Sequence, residues 1–428
     1  MPIKLWINPF LVGLLILFSL PLKLPALQHW LENLFSITFP VRLSLYTFFL
    51  PPTALLCLFW NRGRISEIWD KMRLPLIILA FLFCWMWLGA ILSDFPGIAL
   101  KHSGRYSIMF LTFLALLFAL DRNSIKKSGQ IFTAIYVFLM ALTFLDWHEK
   151  ISIPGLISDY GLHIDLFLRG SKPSSFFENR NPYAVASVAV FIWSLVNLRH
   201  SFILSSAGIG AALYSIILAG SRNGILTFVI CLLILLYLTF RQIRAQSTIF
   251  AVVLALSLAL GIGFYSLHSQ SISRTILSFK KLQNVESYND LEKFDMRFTI
   301  FRAALESGMR NPPILGSGTK TFGPEVFNKA KDVVYSNENY VRFENLYKDT
   351  LNSHNFLLTV WIEMGWVGMI AVLIFLWLWF RPALRGPPLL IMPMLTVCIG
   401  QILDYFVWEI LFMAFQSFFF AHFASSIN

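Results

Sequence analysis

Charge is what this chain has least of. Only 13% of its 428 residues are Asp, Glu, Lys or Arg, while 57% are hydrophobic and 16% aromatic. A soluble domain of this length cannot hide so much apolar surface, so the composition specifies an integral membrane protein. Cysteine is scarce too. Cys57, Cys84, Cys231 and Cys398 all fall inside apolar runs without metal-ligand spacing, which argues against a disulfide framework and leaves them as packing residues. There is no Walker loop, no Asp-x-Asp, no His/Cys/Asp/Glu cluster of metal spacing and no nucleophilic triad pattern in the outer loops. Chemistry would then rest on arginines and a base, with no metal and no cofactor. Acidic residues are the rarer sign, 23 against 34 basic, for a formal charge of +11. The basic residues are spread along short loops, so topology and anionic membrane lipid explain them better than nucleic acid does.

What the chain does have is a succession of apolar runs. A helix needs about 20 apolar residues to cross the hydrocarbon core, which predicts spans near about 9–25, 40–60, 74–93, 105–120, 130–146, 181–198, 202–220, 223–240, 248–266, 355–380, 387–403 and 405–425. The first run (Lys4, then Pro9 to Leu22) resembles a secretory signal, but it has no convincing small-x-small cleavage site and further spans follow at once. A retained first helix is expected. Alternate connections carry Arg62, Arg64, Lys71 and Arg73; Arg122, Lys126 and Lys127; Arg199; Arg241 and Arg244; and Arg381 and Arg385. By the positive-inside rule these are cytoplasmic, as are both termini. The expected fold class is an all-α polytopic membrane protein with about 12 transmembrane helices and one large, partly helical outer loop. Residues 1–265 hold the first nine helices, with a shorter outer loop at about 147–180; residues 266–353 form the large loop, and 354–428 the last three helices.

The outer loops and span breaks hold the candidates. His354, where the large loop meets a span, can exchange a proton with a hydroxyl near neutral pH. Asn355, Thr359 and Glu363 recur at i, i+4 and i+8 as a polar stripe, and Glu363 reads as a buried hydrogen-bonding group between helices. Arg222 sits in the turn Gly220-Ser221-Arg222-Asn223-Gly224, where a guanidinium can bind phosphate and the glycines can admit a ligand close to the backbone. The segment Met296 to Arg310 places Phe298, Phe301 and Leu305 at helical spacing, predicting an amphipathic helix near the membrane. Arg297 and Arg302 on it point in different directions; Arg302 can pair with Glu306, so Arg297 is the phosphate candidate. Arg180, beside Asn181-Pro182 at a helix start, is a second one.

Together these elements resemble the superfamily of O-antigen ligases and O-antigen polymerases, polytopic glycosyltransferases of the bacterial inner membrane. The resemblance rests on Phe-x-x-x-Asn-Pro (Phe177 to Pro182), Ser-Arg-x-Gly at Arg222, and Arg-x-x-x-x-Arg-Ala-Ala-Leu from Arg297. It continues through Pro313-Ile-Leu-Gly-Ser-Gly and His-Asn-x-x-Leu…Glu-x-Gly-x-x-Gly from His354. Each motif is degenerate alone; their order around one outer loop is more specific. The resemblance implies transfer of O-antigen glycan from undecaprenyl diphosphate to a sugar hydroxyl at the periplasmic face, without a metal and with inversion. Arg222 and Arg297 would hold the diphosphate, and His354 would orient or deprotonate the acceptor. A compact chain with one dominant outer loop and with Asp404 and Trp408 in a late span favours the ligase, whose acceptor is lipid A-core, over the polymerase. A flippase or transporter for lipid-linked oligosaccharide is the alternative from another class; it would place charges at mid-membrane and show repeats, and no repeat is evident.

Overall fold

The computed structural model describes residues 4–35, 44–121, 124–148, 150, 152, 163–164, 168–169, 172–173, 175–177, 179–198, 200–242, 296–310, 313–329, 354–381, 388–403 and 410–427. The expected ninth span, much of the large outer loop, and Asp404 and Trp408 lie outside these residues. The helices in chain order are α1 (Lys4–Leu17), α2 (Pro25–Phe35), α3 (Leu45–Phe48), α4 (Leu50–Trp60), α5 (Ile65–Ile91), α6 (Pro96–Ala119) and α7 (Ile125–Trp147). They continue as α8 (Arg180–Asn197), α9 (Phe202–Ala219), α10 (Arg222–Gln242), α11 (Met296–Arg310), α12 (Phe322–Lys329), α13 (Phe356–Phe380), α14 (Pro388–Leu403) and α15 (Ile410–Ile427). Among the described residues, five helices are long and apolar enough to cross a membrane: Arg62–Ile91, Pro96–Ala119, Ile125–Trp147, Phe202–Ala219 and Phe356–Phe380. Shorter apolar helices accompany them. The molecule is an all-α membrane protein.

Several boundaries differ from the sequence expectation, for identifiable reasons. The span expected at 74–93 begins earlier, at Ile65, and passes through a kink at Met72, one turn ahead of Pro75. Arg64, Glu67 and Lys71 pair along its first two turns. The span expected at 105–120 starts at Pro96, which occupies the first turn where its missing N–H costs nothing. The span expected at 40–60 is divided between α3 and α4. The first span ends at Leu17, and β1 (Leu22–Lys23) then pairs with β2 (His163–Ile164). Close by in sequence, β3 (Leu168–Arg169) pairs with β4 (Lys172–Pro173).

The core forms around α8, whose residues from Pro182 to Ser194 are all buried. Its neighbours are α9, α10, α14 and α15. Small residues allow this, since lipid supplies no hydrophobic push and close backbone approach must hold the helices together. Aromatics fill the other side of the core. Phe132 stacks on Phe418 at 4.1 Å, with Phe415, Phe419 and Trp193 edge-on around it. The apolar faces of α5 and α13, including Leu74, Ile77, Phe81, Ile370, Leu373 and Trp377, remain exposed and make a lipid-facing belt.

Candidate active site

An irregular backbone lies within α13. Gly365 interrupts the helix at φ 69° and ψ −173°. The loop from Pro313 to Gly318 supplies donors to carbonyls at the break and takes the Trp366 N–H, which a continuous helix would give to Ile362 O. Ser317 donates its N–H to Ile362 O (2.9 Å), Gly318 donates to Glu363 O (3.0 Å), and Trp366 donates to Pro313 O (2.9 Å). The Trp85 indole supplies the third donor, to Met364 O at 2.9 Å. Gly316 and Gly365 are required at this seam: a Cβ on Gly316 would lie 2.3 Å from Glu363 O, and one on Gly365 2.3 Å from Ile314 O. Two motifs far apart in sequence are thus one structural unit. Irregular backbone is tolerated at membrane depth when protein surrounds and satisfies it.

The same unit is fixed to the first half of the chain. Ser93, in the turn between α5 and α6, donates its hydroxyl to Ser317 O, and the Ser103 and Thr319 hydroxyls lie 2.9 Å apart. The buried Glu363 carboxylate accepts the Phe322 N–H at 3.3 Å, capping α12.

One end of the bundle gathers three helix N-termini around the end of α14. Ser221 donates its hydroxyl to Asn181 Oδ1 at 2.7 Å, joining the start of α10 to the start of α8. Asn223 reaches Gly400 O on α14 at 3.5 Å, and Asn355 donates to Ile402 O on α14 at 3.1 Å. Asn355 also caps α13 by accepting the Leu358 N–H at 3.0 Å. Arg180, Arg222 and His354 each adjoin a member of this hydrogen-bonded series. Arg180 and Arg222 are exposed and His354 is half-buried. His354 adopts a left-handed backbone (φ 50°), uncommon outside glycine and often found at functional sites. Converging N-termini add positive potential to the arginines, an arrangement suited to an anion.

Arg297 joins less directly. The buried line of α11 comprises Ile300, Ala303, Ala304 and Ser307, and Gly308 lies against the Trp361 ring of α13. Helical spacing puts Arg297 on the Ala304–Gly308 side. It lies three turns, about 16 Å, from the Gly308 contact. Arg302 points elsewhere and pairs with Glu306 at 3.2 Å. Phe298 and Phe301 are half-buried and Leu305 is exposed, so the apolar spacing marks a partly exposed face and small residues make the packed one. The glycines flanking Arg222 also differ in role from the expectation. A Cβ on Gly224 would meet Ala184 Cβ at 2.3 Å, so it admits α8 and not a ligand.

Beneath Asn355 a partly open cavity of about 260 Å³ runs between α5, α6, α13 and α15, with Thr319, Thr359 and Glu363 among its few polar members. Beside it, on α6, lie Lys101 and His102, which the expected span at 105–120 left outside, and Arg105 at its first position. The Pro96 helix start, which places them on α6, was the available signal.

Many apolar helices held together by buried polar seams define a polytopic membrane protein. Residues 207–373, about two fifths of the chain, match the family model described as O-antigen ligase. The match includes Arg222, Arg297, Arg302, His354, Asn355 and Glu363, and it leaves Arg180 and the Phe177 to Pro182 motif outside. It supports a role in O-antigen and lipopolysaccharide assembly by glycosyl transfer. No curated protein matches the chain.

Proposed function

We propose that the protein is an O-antigen ligase of the bacterial inner membrane, with both termini cytoplasmic and its active site at the periplasmic face. It transfers glycan from undecaprenyl diphosphate to lipid A-core. The observation that carries this reading is the junction of α8, α10 and α13, which sets Arg180, Arg222 and His354 beside one hydrogen-bonded series within or next to the matched domain. In the transfer, the acceptor hydroxyl oxygen attacks the anomeric carbon as the bond to the diphosphate oxygen breaks, with inversion. His354 takes the hydroxyl proton. Arg222 and Arg297 neutralise the charge that grows on the departing diphosphate, with Arg180 as an auxiliary contact. Asn355 and Glu363 support this by fixing the start of α13 and the seam around Gly365; Arg302 is at the margin. No divalent ion is required.

The test is the lipopolysaccharide profile of a deletion strain together with its pool of lipid-linked glycan. Full-length polymer stranded on its carrier, with bare lipid A-core, is the expected result. Core capped by a single repeat would identify a polymerase instead, and an unchanged ladder would exclude both.

A further inference from the structure

Three ionisable side chains within a helix apolar enough to cross a membrane call for a purpose, because such groups are rare in membrane-spanning segments and costly near hydrocarbon. Lys101, His102 and Arg105 occupy the first three turns of α6, at i, i+1 and i+4, and so cluster on one side. The adjoining Ser103 hydroxyl meets Thr319, which brings Lys320 from the inserted loop alongside. Lys320, Arg105 and Lys101 are the charged neighbours of the His102 imidazole, and the His102 Nδ1 is buried without a hydrogen-bond partner. Lys320 holds a left-handed backbone (φ 64°), fixing its direction on the loop. The Arg105 guanidinium lies over the Tyr46 ring at 5.4 Å from its centroid. Among the described residues, the Glu363 carboxyl faces Lys320 from α13. The apolar cavity starts beside it: Tyr106 and Thr319, next in sequence to Arg105 and Lys320, both line the wall.

We propose that this cluster and cavity form a second lipid site, in which Lys101, His102, Arg105 and Lys320 hold a phosphate of the acylated acceptor glycolipid while one hydrocarbon chain enters the cavity. The assignment to the acceptor rests on the transfer reading above, which gives Arg222 and Arg297 to the donor. A cationic head site contiguous with an apolar slot matches a ligand that carries phosphate and acyl chains in one molecule.

Native mass spectrometry of the detergent-purified full chain tests this, with bisphosphorylated lipid A, the same lipid dephosphorylated, and phosphatidylglycerol as probes. The wild type should retain the bisphosphorylated lipid about tenfold better than either control probe. Lys101→Gln/Arg105→Gln should lose about tenfold and Lys320→Asn severalfold, asparagine being tolerant of the left-handed backbone. Arg62→Gln, at the opposite end of the bundle, should bind as the wild type does. Should the double variant fail to fold, Lys320→Asn carries the same reading. Equal retention of the two lipid A forms, displacement by phosphatidylglycerol at equal concentration, or wild-type binding by both cluster variants would overturn the site. The assay contains no donor and reads binding alone, so expected binding together with an unchanged lipopolysaccharide ladder in the deletion strain would sink the ligase reading and leave the lipid site standing.

Discussion

At the scale of single residues, the two arginines of α11 separate cleanly. Arg302 has a local partner in Glu306, a part-exposed i,i+4 pair worth about 0.3–0.5 kcal/mol. Arg297 lies on the side of the helix that packs toward α13. Arg297→Gln should therefore lower transfer by about 10²-fold or more, as expected for removing one donor to developing charge. Arg302→Gln should stay within about twofold of the wild type with an unchanged melting temperature. A cell-free transfer assay on the two purified variants checks this, and equal losses would place both arginines in the site. That Arg297 and Arg302 cannot both face one ligand was legible from five-residue spacing alone. The role of the Arg222 glycines was not, because a glycine admits a neighbouring helix and a ligand equally well, and only Ala184 against Gly224 decides between them.

At the scale of elements, the junction of α13 with the Pro313 to Gly318 loop is the part that makes the rest possible. Gly365→Ala would force a Cβ into a left-handed position 2.3 Å from Ile314 O. It should destabilise the protein by about 2–3 kcal/mol or more. Trp85→Phe keeps the ring but removes the donor to Met364 O, and should cost about 1–3 kcal/mol. Thermal unfolding in detergent reads both, and an unchanged melting temperature in Gly365→Ala would contradict the seam. Sequence displayed both motifs but not their pairing, since hydrogen bonds between residues 317 and 362 leave no periodic mark. Helix existence was readable from apolar runs; helix starts were not. The polar first turns of α5 and α6 each moved a boundary by about ten residues, because tertiary contacts and a tolerated proline outweigh local composition.

At the scale of the whole molecule, the two halves of the chain have different parts. The second half carries the matched family domain and most of the candidate residues. The first half holds α13 through Trp85 and the inserted segment through Ser93 and Ser103, and supplies α5 and α6 to the cavity wall. From sequence the first 150 residues contributed only topology, because their contacts with the seam are made by ordinary Ser and Trp side chains. The central claim is that one base and a set of arginines perform the transfer without a metal. Its most direct test is transfer of lipid-linked glycan to lipid A-core by the protein reconstituted in liposomes with EDTA, comparing the wild type with His354→Asn. Asparagine accepts the left-handed backbone at this position but cannot act as the base. The account predicts full transfer by the wild type in EDTA and a loss of about 10²–10⁴-fold in the well-folded variant. Transfer by His354→Asn within about twofold of the wild type, or a wild type that works only with an added divalent ion, would contradict it.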